Sequence, residues 1–192
     1  MILPKLYRSI KNGFWYNVSV PRERGMAQKG KRRMVLYHGS NVVVREPRLM
    51  PQVRALDFGR AFYLTSNFEQ SAKWARTSVL RRNDGVATVS SFELDESMLS
   101  RLNVLRFDAP NVEWLRFVAR NRAEQIDDSA CDVVIGPVAN DNTMPVLNLY
   151  FKGAYSEEEA LKRLLPQRLS DQYAMKTGNA LGCLSFKEAR AV

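Results

Sequence analysis

MVLYHGS at residues 34–40 and DFGRAFYLT at residues 57–65 are the two stretches on which the reading of this chain turns. The first is a short apolar run with β-branched and aromatic residues, which predicts a strand. It ends at His38, the only histidine in 192 residues, with Gly39 and Ser40 behind it. The second stretch predicts another short strand, Ala61 to Leu64, running straight into a helix start. Ser66-Asn67-Phe68-Glu69 has capping-box spacing, in which Ser66 and Glu69 would satisfy free backbone amides. Phe68, Ala72, Ala75 and Val79 then recur at helical spacing and predict one apolar face.

Outward from this pair, Val86 to Leu94 and Val104 to Phe107 read as strands, and Val112 to Ile126 as a helix. Asp132 to Ile135 predicts a buried strand before a turn at Gly136-Pro137. Ser156 to Glu159 is a second capping box, opening a helix that Pro166 stops. QYAMKTGNALGCLSF, at 172–186, predicts a strand, a short helical turn and a last strand. Short strands mixed with about three helices, not evenly interleaved, indicate an α+β fold.

Charge divides the chain. Residues 1–33 hold nine bases and one acid, and the rest holds 20 bases and 19 acids. The formal net charge of +9 therefore belongs almost wholly to the leading segment, which lacks a sustained period and ends in KGKRR. Residues 1–33 read as a basic extension, solvated or outside the native start, since Met34 opens a strand directly. The domain is expected over residues 34–188. The N-terminus lacks the clean apolar core of a secretory signal, and no apolar run approaches the ~20 residues of a membrane span. Cytoplasmic location without membrane contact is the expectation. Cys131 and Cys183 form no CxxC or Cys/His cluster, and one histidine cannot build a two-histidine metal site, so no metal is expected. There is no GxGxxG, Walker or GxSxG motif.

Taken alone, a histidine beside glycine is more often a satisfied core residue than a ligand, and Tyr63 a core aromatic. Trp74, Trp114 and Phe117 read as core. Together, His38 and Tyr63 offer more. His-Gly presents an imidazole able to bond a ligand hydroxyl, then a backbone amide and carbonyl with no side chain in the way. A tyrosine one strand later offers a flat face for a ring. That equipment suits a heteroaromatic amide attached to a ribose.

These signatures resemble the His-Gly-Ser/Thr and Phe-Gly-x-Gly-x-Tyr motifs of the ADP-ribosyltransferase fold, in the branch of diphtheria toxin and the poly-ADP-ribose polymerases. From Met34 to Phe186 the chain is similar to a bacterial domain-of-unknown-function family assigned to that superfamily, whose members are encoded beside small antitoxin-like partners. YHGS, DFGRAFYLT, SAKWA, EWLRFVARNR, DVVIGPVAND and DQYAMKT occur in the family's order. The resemblance implies a split β-sheet core with flanking helices and NAD as substrate. It also implies transfer of ADP-ribose to a protein or nucleic acid, and an antitoxin partner. His38, Tyr63 and Gln172 would form the catalytic set, with Gln172 standing where the family usually has glutamate. A glutamine lacks the charge that steadies a cationic ribose, which opens the alternative of an NAD- or ADP-ribose-binding module without turnover. Ala61 replaces the usual glycine before the tyrosine. Gly39, Ser40 and Arg54 are expected to contact NAD, and Asn140 and Asp141 to line the acceptor side. A nucleic-acid-directed protein using the basic arm is a further alternative.

Overall fold

The structure, a computed structural model, describes residues 6–11, 14–19, 33–50, 56–123, 131–138, 143–165 and 169–192, with side chains from residue 33 onward. Arg54, Asn140, Asp141, Ile126 and Pro166 lie outside the described residues.

In chain order, the strands are β1 (Leu6–Lys11), β2 (Phe14–Ser19), β3 (Arg33–Ser40), β4 (Phe62–Leu64), β5 (Thr88–Asp95), β6 (Val104–Arg106), β7 (Val133–Pro137), β8 (Asp171–Met175) and β9 (Leu184–Ala191). The helices are α1 (Phe68–Arg82), α2 (Glu96–Leu99), α3 (Val112–Arg122), α4 (Met144–Phe151), α5 (Glu157–Leu164) and α6 (Gly178–Leu181). The class is mixed α and β, as the pattern of short strands predicts. β1 and β2 form an antiparallel hairpin, Leu6 opposite Ser19 and Lys11 opposite Phe14. The hairpin lies within the segment read as a basic extension, where no sustained period marks it. The Asn12-Gly13 pair between the strands is a hairpin signal that the search for long periods passed over.

β3, β5 and β9 make one antiparallel sheet in the order β3-β5-β9. A second has the order β4-β8-β7-β6, antiparallel except between β6 and β7. Alternation along the strands builds the two cores. Leu36, Phe62, Phe92, Val133, Ile135 and Met175 pack together between the sheets. Val134 and Ala174, facing the other way, pack with Phe58, Trp114, Phe117 and Leu147 under α3 and α4. Each fully buried leucine or phenylalanine contributes about 1.5–3 kcal/mol against exposure.

Three local readings need correction, and one helix carries no sequence signal. At α1 the N-cap is Asn67, whose side chain accepts from the Gln70 amide at 3.1 Å. Ser66 instead gives its amide and hydroxyl to the Asp171 carboxylate, at 2.8 and 2.6 Å, the stronger charge-assisted option. α3 ends at Arg122, four residues before Ile126. Gly136 and Pro137 continue β7 opposite Gln172 and Asp171 rather than turning, and Gly136 lies so near Phe107 and Phe58 that an added Cβ would meet them at 3.1 and 3.3 Å. Finally, α4 has a nearly continuous apolar sequence, so periodicity gives no helical signal there. The Ser156 cap forms as expected, accepting from the Glu159 amide at 3.2 Å.

Candidate functional site

β3 and β4 lie edge to edge but join at one point. Tyr37 donates to the Thr65 carbonyl at 2.8 Å and accepts from the Thr65 amide at 3.0 Å. Alternate residues of an antiparallel strand turn their backbone groups to the same edge, so the amide and carbonyl of Gly39 also face β4. Continued pairing would set Gly39 against Tyr63. Instead the His38 Nδ1 lies 2.8 Å from the Tyr63 carbonyl oxygen. The imidazole takes the bond that would have zipped the strands, and the edge opens.

That bond fixes the ring's state. A carbonyl only accepts, so Nδ1 carries the proton and Nε2 is left as an acceptor. The ring stacks on Phe62, centroids 4.3 Å apart. Burial pushes the imidazole below its usual pKa, and the bond to the Tyr63 carbonyl opposes this only in part. His38 is therefore neutral at pH 7.

The opening leads into a cavity of about 610 Å³, within the ~300–1,000 Å³ usual for small-molecule sites. His38, Gly39, Tyr63 and Gln172 line it, so the structure brings four of the expected residues together. Tyr63 lies opposite Ala174, and Gln172 is two residues along β8 on the same face. The Tyr63 hydroxyl donates to the Gly59 carbonyl. Burial first, and the Asp57 carboxylate second, push its pKa far up, so it stays protonated. Gln172 is buried, and its amide nitrogen has no hydrogen-bond partner among the described residues. An orphaned buried donor costs about 1–3 kcal/mol and is a feature to expect where a ligand supplies the acceptor. Ser40 ends β3 opposite Thr88 and is not among the residues lining the cavity.

Sequence reasoning passed over several lining residues. Trp74, expected in the core with Trp114 and Phe117, lines the cavity, whereas the other two are fully buried. Asp57 is buried and paired with Arg122 at 2.6 Å, and both reach the cavity. Below them Gly59 holds a left-handed φ of 73°, where an added Cβ would meet the Asn121 side chain at 2.7 Å. Ser71, behind Gly39 on α1, keeps a buried hydroxyl without a partner among the described residues. The available signal was helical. Residues 70, 73, 74, 77, 78, 81 and 82 all line the cavity and repeat at intervals of three and four. They form the stripe beside the apolar face that periodicity found.

Gly39 itself is dictated by packing. A Cβ there would lie 2.0 Å from the Ser71 carbonyl oxygen and 2.8 Å from the Ala75 amide nitrogen. Only a residue without a side chain lets α1 approach β3 this closely.

Over residues 34–186 the chain matches the family described as protein of unknown function, DUF3990. It belongs to this family. The match begins at the first residue of MVLYHGS and covers both cores and the whole described cavity lining. No curated protein matches the chain. Among the described residues no group of three or more His, Cys, Asp or Glu side chains is placed to hold a metal ion. No described helix is long and apolar enough to cross a membrane.

Proposed function

We propose that this chain is an NAD-dependent mono-ADP-ribosyltransferase with a split-sheet core of the diphtheria-toxin and poly-ADP-ribose-polymerase type. The observation that carries the reading is the opened β3–β4 edge, where His38 replaces the strand pairing and leaves the Gly39 peptide groups beside Tyr63 and Gln172. Gly39 would hold the carboxamide of nicotinamide through its amide and carbonyl. Tyr63 and Trp74, both aromatic and both lining the cavity, would flank the ring. A ribose hydroxyl donating to His38 Nε2 and accepting from the Gln172 amide would satisfy both groups, including the orphaned one. Gln172 thus acts as donor rather than as the acceptor expected of glutamate at this position.

In the reaction, the bond between nicotinamide nitrogen and ribose C1′ breaks and its electron pair leaves with nicotinamide. An acceptor nucleophile, on a protein or nucleic acid, then bonds C1′ and releases its proton. The protein's contribution is positioning and electrostatics at the developing cation, with no metal. In this reading the chain acts in the cytoplasm as the toxin of a toxin–antitoxin pair, held by a small antitoxin protein. The purified chain is expected to release nicotinamide from NAD⁺, and His38→Ala and Tyr63→Ala to lower the rate at least about 100-fold. Unchanged turnover in both variants would refute the site.

One observation favours a second reading, a module that binds NAD or ADP-ribose without turnover. Gln172 has no charge, and the Asp57 carboxylate is already spent on Arg122. Calorimetric NAD⁺ binding without nicotinamide release would select it.

A further inference from the structure

We propose that the α1 end of the cavity is a diphosphate site, with Arg81 and Arg82 as its charged contacts. In its full form the proposal rests on the NAD reading, because it assigns the far half of that ligand.

The cavity has two unlike ends. Around His38, Tyr63 and Gln172 the charged groups among the described lining residues are Asp57 and Arg122, which neutralise each other across 2.6 Å. Along α1 the lining turns cationic, through Lys73, then Arg81 and Arg82. Asp57 is the one carboxylate among the described lining residues, and Arg122 already holds it. Arg81 and Arg82 are exposed, and neither has a carboxylate partner among the described residues. Asp84, next in the chain after the Asn83 cap, forms no ion pair with them.

Spacing along the helix fits a ligand with a ring at one end and charge further on. From Trp74 to Arg81 is seven residues, a rise of about 10 Å. That leaves room for a sugar between the aromatic slot and the guanidinium groups. Ser78 lies on the same stripe between them. Arginine's planar fork matches phosphate oxygens in pairs.

A plainer account also exists. Arginines in a last turn offset the negative end of the helix dipole. The dipole would itself repel a phosphate, but it amounts to about half a charge, against two full guanidinium charges. The dipole account makes no demand on which side the arginines face. Arg76 supplies the comparison, an exposed arginine of the same helix that does not line the cavity.

The test is calorimetry on the full chain with three probes: NAD⁺, ADP and nicotinamide riboside, which has no phosphate. Arg81→Gln with Arg82→Gln should weaken NAD⁺ and ADP at least about tenfold and leave nicotinamide riboside unchanged. Arg76→Gln should change none. Arg82→Gln alone serves if the double variant does not fold. Equal weakening by Arg76→Gln, or unaltered ADP binding in the double variant, overturns the proposal. If the wild-type chain binds ADP through these arginines but neither nicotinamide probe, the diphosphate site stands and the NAD reading falls. If it binds nicotinamide riboside but not ADP, the NAD reading survives and the diphosphate site is lost. Binding of no probe overturns both.

Discussion

Along one edge β3 runs eight residues in register with β5, Arg33 against Asp95 through Ser40 against Thr88. Along the other it meets β4 only where Tyr37 bridges Thr65. The same strand thus closes one edge and opens the other. The difference comes from two adjacent residues. His38 spends its Nδ1 proton on the carbonyl that strand pairing would have used. Gly39 lets α1 press so close that β3 is held from behind rather than from the side. An open sheet edge is usually a liability. Held within the fold, it becomes a recessed row of backbone donors and acceptors facing a cavity.

The largest break in this contrast is expected below the open edge. Arg122→Met would leave the buried Asp57 carboxylate without the partner 2.6 Å away. A loss of about 3 kcal/mol is expected, read as the shift in urea midpoint at unchanged slope. A change under about 1 kcal/mol would mean that the loop beneath Tyr63 does not depend on the pair.

Gly39→Ala tests the support behind β3. With the new methyl 2.0 Å from the Ser71 carbonyl oxygen, α1 must move away, at about 2 kcal/mol. Ligand binding should fall further than stability alone explains, since the same shift displaces the cavity wall.

Asn67→Ala removes the cap at the α1 start and should cost about 1 kcal/mol. Ser66→Ala should cost less, because Asp171 keeps the Ser66 amide and the Thr65 hydroxyl. If the order of the two variants reverses, Ser66 is the effective cap and the assignment at Asn67 is wrong.

The smallest effect is on pH dependence. His38 has its pKa lowered by folding, so the unfolded chain binds more protons as pH falls below the ordinary value of 6.5. Stability should therefore fall as pH drops from 7.5 to 5.5, a trend that His38→Gln should flatten. Thermal melts of the two proteins across that range measure the difference. A steeper slope in His38→Gln would place the charged imidazole in the folded state.

Strand and helix positions around the site were legible because their signals are local. MVLYH is a short apolar and aromatic run, α1 carries a repeated apolar face, and Ser156 marks its helix start. The pairing of His38 with Tyr63 was legible through resemblance, and the structure sets both beside Gln172. Asp57 and Arg122 were not, since 65 residues separate the two charges and no local motif links them. Trp74 read as core because a helical aromatic usually is, and only the placement of α1 against β3 turns it toward the cavity. The hairpin of β1 and β2 was missed for the opposite reason, a two-residue signal hidden in a segment judged by its charge.

The sequence by itself determined the mixed class, the strand that carries His38, the helix that follows Tyr63 and the basic lead segment, all consequences of residue type and near-neighbour spacing. Tertiary structure alone decided that β3 and β4 part after one bridge, that Gln172 is left with an unmet donor and that the α1 stripe of Trp74, Arg81 and Arg82 faces the same cavity. Those features depend on where distant strands and a helix come to rest, and close packing fixes that only when the whole chain is folded.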